Sequence, residues 1–274
     1  MNPETHISSL QNPLIKQTVR LQQKSSERRK TGLFVVEGRR EVSLACAHDI
    51  ESEQILICDE LYRADPTYPI PNNHIRKKTI VTKAVYNKIA YREDAEGVLM
   101  IGKQKLLDFD DLKLPENPLI LVLEGIEKPG NLGAIFRTAD AAGVDALLLA
   151  GPRTDIYNPN AIRASLGCVF SVPAVSAQSH DLISRIKDPA KWPGEKQPMI
   201  YAAALQNAKE YYDSDLNGPT VLVFGSEDKG LTQPWREAAD QIIKIPMAGS
   251  IDSLNLAASV AILCFEARKQ RDCR

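Results

Sequence analysis

Apolar residues in the second half of the chain fall into short runs, each followed by a loop that contains glycine or proline. Three such runs, Leu119–Glu124, 221–224 and 242–245, are almost entirely apolar. Runs of this length and composition are typical of strands buried on both faces of a parallel sheet. The pattern predicts an α/β domain with three buried strands that each lead into a polar loop.

Two stretches between and after these runs have helical patterns. Residues 131–142 stop at Gly143, a residue type favoured just beyond a helix, so we expect a helix over this range. Residues 254–265 are apolar almost all round, which indicates a helix buried in a core or against a second subunit.

Residues 5–103 alternate between helical and strand patterns and predict a smaller α/β domain. The acidic stretch 105–118 contains two prolines and separates regions of different character, so it is interpreted as a linker. The predicted domains are therefore 1–104 and 119–274. The expected elements of the smaller domain are a basic helix to about Lys24, strands at 34–36, 54–58, 78–82 and 97–101, and helices from Arg39 and Ala84.

The charges nearly cancel, with 34 Lys and Arg residues against 35 Asp and Glu, but they are unevenly distributed. Residues 16–40 contain eight basic and two acidic side chains. Such an excess can supply the phosphate attraction that RNA binding requires, and a solvated helix face is the alternative interpretation.

Composition also restricts cofactors and location. Five cysteines without a C-x-x-C pair indicate reduced, mostly buried thiols in a cytoplasmic protein. Four scattered histidines, none in ligand spacing with a cysteine, predict no metal site. We expect no export or membrane insertion, because there is no leader pattern and no apolar run of spanning length.

The loop after the first apolar run offers Asn131 and, nearly two helical turns further on, Arg137. That spacing suits a guanidinium projecting toward a phosphate or a ribose. The alternative is that Asn131 caps the helix and Arg137 forms a surface ion pair.

The other two loops carry Gly225 and Glu227, and Ser253 and Asn255. A glycine directly after a buried strand would let the backbone approach a ligand closely. Ser253 and Asn255 fall in the first turn of the last helix, where short polar residues also act as caps. Neither a phosphate-binding P-loop nor a dinucleotide fingerprint is present.

Taken together, the three loops resemble the motifs of the SpoU (TrmH-like) family of RNA ribose 2'-O-methyltransferases, within the SPOUT superfamily. The resemblance covers about residues 117–270, and the three motifs occur in the family's order. The matching residues are Asn131, Gly133 and Arg137; Gly225, Glu227 and Gly230; and Ile245, Pro246, Ser253, Leu254 and Asn255.

This resemblance implies a C-terminal α/β knot, a deep trefoil of SPOUT type, that dimerises through helices including the last one. It implies S-adenosyl-L-methionine (SAM) as the methyl donor and a catalytic group in which Arg137 acts as general base or as an electrostatic stabiliser. The implied catalytic residues are Asn131, Arg137, Glu227, Ser253 and Asn255, and the implied SAM-binding residues are Leu205, Gly225, Ile245, Met247 and Leu254.

Residues 7–38 resemble the start of the substrate-binding domain that precedes many SpoU enzymes and folds like small ribosomal RNA-binding proteins. Ribosomal RNA is the expected substrate, because a separate N-terminal domain is commoner in members acting on it. There are three alternatives: an enzyme that methylates transfer RNA, an enzyme whose methylation of ribosomal RNA confers antibiotic resistance, and a non-catalytic RNA-binding or assembly factor. The candidate RNA contacts are Arg28, Arg29, Lys30, Arg39 and Arg163.

Overall fold

The structure, a computed structural model, describes residues 5–71 and 75–272 and divides into two compact units. The first unit contains the chain up to Lys105 together with the segment Asp155–Ser171. The second contains Leu106–Thr154 and the chain from Val172 onward. Each unit has its own sheet, with five strands in the first and seven in the second.

The first unit is built on a mixed sheet in the order β1-β4-β3-β5-β2, in which β5 is antiparallel to both of its neighbours. The predicted strands and helices of this region are present, with bounds that differ by a few residues. Its elements are β1 (Thr5–Ile7), α1 (Pro13–Gln23), α2 (Ser25–Thr31), β2 (Leu33–Glu37), α3 (Arg39–Ala47), β3 (Ser52–Ile57), β4 (Lys78–Val81), α4 (Lys83–Ile89), β5 (Val98–Lys103) and α6 (Pro159–Ala164).

Local chemistry explains where α1 begins. The Asn12 side chain accepts a hydrogen bond of 2.9 Å from the backbone N–H of Leu14, and Pro13 occupies the first helical position. An asparagine cap followed by proline is a favoured helix start. The short strand β1 was not anticipated from the sequence; it pairs in parallel with β4.

The segment Asp155–Ser171 packs on β2 and α2 of the first unit, although the sequence assigns it to the second domain. The ring of Phe34 lies 4.3 Å from the ring of Tyr157 and 5.9 Å from that of Phe170, centroid to centroid. Arg28 forms a bidentate ion pair with Asp155. These contacts hold α6 within the first unit.

The second unit is a fully parallel sheet in the order β10-β12-β9-β11-β6-β7-β8, with α-helices in most of the connections between strands. The strands β6 and β11 are buried along their whole length, as their apolar runs predict, and β7 is buried as well. The third predicted run forms β12, which is only partly buried, so the prediction of a fully buried strand there is wrong. The elements are β6 (Leu119–Glu124), α5 (Pro129–Ala142), β7 (Ala146–Ala150), β8 (Ala174–Ala177), α7 (Ser179–Ile186), β9 (Met199–Ala203), β10 (Lys209–Glu210), β11 (Thr220–Phe224), α8 (Gln233–Ala238), β12 (Gln241–Lys244) and α9 (Leu256–Asp272).

Most of the stretch interpreted as a linker is packed against the second unit. Phe109 is buried and lies edge-on to Trp192 with 5.7 Å between ring centroids. Leu107, Leu112 and Leu114 pack against the same core. Residues 106–118 therefore contribute to the second unit's core as well as connecting the chain.

Helix bounds in the second unit differ from the expectation at two starts and at one end, because the last helix continues to Asp272, beyond the predicted end at residue 265. The helix α5 begins at Pro129, two residues before Asn131, and ends at Gly143 in the left-handed conformation (φ 67°) as predicted. The helix α9 begins at Leu256 and packs on α5. Its buried side includes Val260 and Leu263, whereas Phe265 on another side is 50% exposed.

Within the described part of the chain, no helix is long and apolar enough to cross a membrane. Cys46, Cys58, Cys168 and Cys264 are buried and unbridged. Cys273 lies outside the described residues. Over the same ranges, no group of three or more His, Cys, Asp or Glu side chains is arranged to hold a metal ion.

Candidate active site

Three loops bring polar side chains together at one edge of the parallel sheet of the second unit. The strands β6 and β11 are parallel neighbours, so the loops that follow them leave the sheet at the same edge. Asn131 lies on α5 after the first of these strands, Glu227 follows the second, and Asn255 precedes α9 after β12. In open parallel sheets, ligands bind beyond the carboxyl ends of the strands, which is where these loops lie.

The Glu227 carboxylate is the centre of the cluster. Its Oε1 accepts hydrogen bonds from Asn131 Nδ2 at 2.7 Å and from Asn255 Nδ2 at 2.8 Å. Its Oε2 accepts a hydrogen bond from the Lys128 ammonium. A longer contact of 3.4 Å joins Asn255 Nδ2 to Asn131 Oδ1. One residue from each of the three sequence motifs therefore meets in a single hydrogen-bonded group.

Helix geometry orients the two asparagines. Asn255 immediately precedes α9, and its Oδ1 accepts a hydrogen bond of 3.0 Å from the backbone N–H of Ala257. The capping role left open from the sequence is present, and it fixes the amide so that Nδ2 faces Glu227. Asn131 is the third residue of α5 and donates to Glu227, so the capping alternative for Asn131 is wrong.

The ionisation states in the cluster support one another. The Lys128 hydrogen bond and the amide of Asn131 lower the pKa of Glu227 below its usual range. Glu227 in turn raises the pKa of the exposed Lys128 ammonium. A carboxylate that is ionised and already accepts from three donors organises its neighbours, because it has little capacity left to take a proton from a substrate.

The loop that carries Glu227 is closed on itself. Ser226 and Gly230 exchange backbone hydrogen bonds of 3.2 and 2.9 Å, and Gly230 has a positive φ of 65°. A Cβ on Gly225 would lie 2.1 Å from the carbonyl carbon of Gly230. The absent side chain of Gly225 therefore makes room for the loop's own backbone, where the sequence suggested room for a ligand.

Lys128 belongs to the cluster but was missed from the sequence. Its signal was its position three residues before Asn131, directly ahead of the proline that opens α5. A lysine there could equally have been a solvated surface residue, because only the fold brings Glu227 to it.

Arg137 and Ser253 stand apart from the hydrogen-bonded group. Arg137 is exposed, and six residues of helix place it about 9 Å further along α5 than Asn131. Ser253 is exposed in the loop before α9. In the part of the chain that is described, neither side chain has a hydrogen bond or ion pair.

The predicted SAM-binding residues lie after neighbouring strands. Leu205 follows β9 and is 53% exposed, while Ile245, Met247 and Leu254 lie between β12 and α9 and are partly exposed. Partly exposed apolar side chains are the kind of lining that an adenosyl group needs, so these residues fit the cofactor. A separate cavity of about 90 Å³ at the polar cluster is lined by Gly125, Ile126, Glu127, Lys128, Asn131, Ser226, Glu227, Asp228 and Leu256.

Among the candidate RNA contacts, Arg28 requires correction. Its side chain is only 2% exposed, and its guanidinium donates to both carboxylate oxygens of Asp155 and to the carbonyls of Leu21 and Gln22. A buried guanidinium with these partners cannot reach an RNA phosphate, so Arg28 is a structural residue of the first unit.

The other candidate RNA contacts remain at the surface of the first unit. Arg29, Lys30 and Arg163 are exposed. Arg39 is 27% exposed, lies 3.5 Å from a Glu96 oxygen and donates to the carbonyl of Arg63. Within the described ranges, no ion pair holds the Arg163 guanidinium.

Sequence comparisons identify relatives of both regions. The SpoU rRNA Methylase family matches residues 118–265, and an MRM3-like substrate binding domain matches residues 12–100. The 23S rRNA (uridine(2479)-2'-O)-methyltransferase of Streptomyces viridochromogenes is 28% identical over 248 residues, which cover 90% of this chain and 86% of the relative. The 23S rRNA (guanosine-2'-O-)-methyltransferase RlmB of Pseudomonas putida is 35% identical over 155 residues, covering 56% of this chain and 60% of RlmB.

Solved structures resemble nearly the whole chain. An RNA 2'-O ribose methyltransferase is 33% identical with a TM-score of 0.79, covering 97% of this chain and 99% of that one. The SpoU methyltransferase AviRb from Streptomyces viridochromogenes, in complex with AdoMet, is 27% identical with a TM-score of 0.85, covering 96% and 100%. By the family match over more than half of its length, this chain belongs to the SpoU rRNA methylase family.

Proposed function

We propose that this protein transfers the methyl group of SAM to a ribose 2'-hydroxyl of ribosomal RNA. The observation that carries the proposal is the convergence of the three motif loops on the Glu227 carboxylate. The AdoMet-bound neighbour AviRb and the ribosomal RNA named for several relatives support the donor and the substrate class.

Transfer requires alignment of the 2'-oxygen with an activated methyl group and removal of one proton. SAM supplies a methyl carbon that is already activated by the sulfonium charge. Glu227 holds the amides of Asn131 and Asn255 in place, and the Oδ1 of Asn131 meets only a contact of 3.4 Å. That oxygen is free to accept a hydrogen bond from a ribose hydroxyl, which would hold the acceptor in line.

Arg137 is the proposed cation for the developing negative charge on the 2'-oxygen, with Ser253 completing the polar wall. The role of Arg137 as general base or electrostatic stabiliser follows from the family resemblance. Its exposed guanidinium has no ion-pair partner in the described chain and is available for substrate. The proposed SAM contacts are Leu205, Gly225, Ile245, Met247 and Leu254.

We further propose a cytoplasmic homodimer whose second unit, Leu106–Thr154 with the chain from Val172 onward, forms a deep trefoil knot. Partly exposed apolar residues on α9, including Phe265 and Ile262, would suit a second copy. Residues 1–104 would bind RNA in the manner of small ribosomal RNA-binding proteins. Their proposed contacts are Arg29, Lys30 and Arg39, with Arg163 contributed by the segment Asp155–Ser171.

The proposal is tested with purified full-length protein, radiolabelled SAM and either 23S ribosomal RNA fragments or transfer RNA. Label on a ribose 2'-oxygen of the ribosomal fragments is expected. If no RNA becomes methylated, the result would support a non-catalytic binding factor. If only transfer RNA becomes methylated, the substrate assignment would be overturned.

Arg137→Ala is expected to retain SAM binding and to lower methyl transfer by about a hundredfold or more. Arg185→Ala is the matched control, because Arg185 pairs with Asp110 on the surface of the same unit. Unchanged turnover in Arg137→Ala would remove Arg137 from the reaction.

A further inference from the structure

We propose that Glu124 is a positioning residue for methyl transfer, because it fixes the loop that carries Glu227. Glu124 is the last residue of β6 and is 8% exposed. The loop that leads to Lys128 and Asn131 starts directly after it. This inference rests on the proposed function, since the site being positioned is the one assigned to the methyl acceptor.

Glu124 accepts hydrogen bonds from three neutral donors. Its Oε2 accepts from the backbone N–H of Thr232 at 2.8 Å. Its Oε1 accepts from the hydroxyl of Thr232 at 2.7 Å and from the hydroxyl of Ser179 at 3.1 Å. Over residues 5–71 and 75–272, no lysine, arginine or histidine pairs with this carboxylate.

A buried carboxylate without a cationic partner is energetically unfavourable at the end of a strand. Removing the charge from water is unfavourable, and hydrogen bonds from neutral donors only partly offset that cost. A carboxylate nevertheless offers what a neutral amide cannot, because both of its oxygens accept. At Glu124 this property is used to bind the hydroxyl and the backbone N–H of Thr232 together.

The hydrogen bonds to Thr232 anchor the second end of the loop at residues 225–232, here called the Glu227 loop. At its first end the loop leaves β11, whose Phe224 pairs with Leu123 of β6. At its second end it reaches Thr232, which is held by Glu124. Both ends are thus attached to consecutive residues of one strand, and Glu227 lies between them.

This attachment sets the distance between Glu227 and the next loop. Asn131 follows the same strand, β6, and must meet Glu227 across a hydrogen bond of 2.7 Å. A displacement of the loop by about 1 Å would break that geometry and misplace the acceptor. Glu124 therefore acts through the loop, without touching the substrate.

Ser179 and Thr232 supply a matched pair of donors for the test. Both hydroxyls donate to Oε1 of Glu124, but Ser179 is the first residue of α7, whereas Thr232 ends the Glu227 loop. If Glu124 matters only for stability, loss of either hydroxyl should have the same consequence for catalysis. If it positions the loop, only loss of the Thr232 hydroxyl should change turnover.

The experiment measures kcat, the KM for RNA and the Tm of the full-length protein, of four single variants and of one double variant. Glu124→Gln and Thr232→Val are expected to lower kcat by about tenfold or more while KM changes by less than about twofold. Thr232→Ser, which keeps the hydroxyl, and Ser179→Ala are expected to retain the wild-type kcat. The double variant of Glu124→Gln with Thr232→Val should lose no more than the worse single variant, since both remove one interaction.

Two results would overturn the inference. One is a kcat for Ser179→Ala that falls as far as that of Thr232→Val at an equal loss of Tm. The other is an unchanged kcat in Thr232→Val, a variant that decides the question even if Glu124→Gln does not fold. A wild-type protein without RNA methyl transfer would contradict the proposed function instead.

Discussion

Removal of the Asp155 carboxylate should destabilise the first unit more than removal of the arginine that it binds. Asp155→Ala leaves the Arg28 guanidinium buried, with two of its four hydrogen bonds lost and only the carbonyls of Leu21 and Gln22 as partners. Breaking a buried pair from one side costs about 3–5 kcal/mol. Because Asp155 is itself 26% exposed and water can reach the gap, we expect the lower end, about 3 kcal/mol.

Arg28→Met makes the opposite perturbation, with an apolar side chain of similar length in the buried position. The Asp155 carboxylate that remains is partly exposed and can be hydrated, so the main loss is the charged donor to two carbonyls, about 1–2 kcal/mol. The two variants should differ by roughly tenfold in their unfolding constants. The double variant should recover part of the stability lost in Asp155→Ala, because no buried charge then remains.

Urea unfolding followed by far-ultraviolet circular dichroism gives the three free energies, and hydrogen exchange locates the loss in α2 and the segment Asp155–Ser171. The reasoning is refuted if Arg28→Met is as unstable as Asp155→Ala. It is also refuted if the double variant shows the sum of the two single losses, since independent effects would mean that the pair is not coupled.

Three further substitutions test other features. Asn255→Asp keeps the side-chain oxygen that caps α9 but places a second carboxylate beside Glu227. The Tm should stay within about 2 °C of the wild type, while methyl transfer from labelled SAM should fall at least about tenfold. Full activity would show that capping is the only role of Asn255. Gly225→Ala should reduce transfer by a similar factor of about ten because its Cβ would overlap the backbone of Gly230, whereas Gly218→Ala, with open space around it, should match the wild type in the same assay. Burial raises the pKa of Glu37, so the ionised form of this carboxyl weakens folding above its ordinary pKa. Glu37→Gln should therefore raise the urea midpoint at pH 7, and this gain should vanish as the pH falls below about 4. An equal gain at pH 7 and below about pH 4 would contradict this explanation.

The sequence predicted those parts of the fold whose causes are local. The buried run of β6 has the bounds expected from its apolar pattern, and α5 ends where Gly143 adopts a positive φ. The start of α5 was misplaced because Pro129, favoured at the first helical position, opens the helix before Asn131. The strand β1 was missed because three residues carry too little pattern to be recognised.

The candidate site depends on contacts that no local pattern reveals. Asn131 and Glu227 are 96 residues apart, and only resemblance to a family brought them into one hypothesis. The family pattern did not include Lys128, whose partner Glu227 lies 99 residues away. Arg28 was assigned to RNA because it stands in a basic stretch, yet its partner Asp155 lies 127 residues away and takes it out of the surface.

The chain passes between the two units three times, after Lys105, after Thr154 and after Ser171. The first unit is consequently not encoded by one continuous stretch of the sequence. A fragment that starts after Lys105 would still carry Tyr157 and Phe170 but would lack Phe34, against which both rings pack. Recombination that exchanges the first unit of such a protein must therefore carry two separate stretches of gene, or compensate for the apolar surface that it leaves exposed.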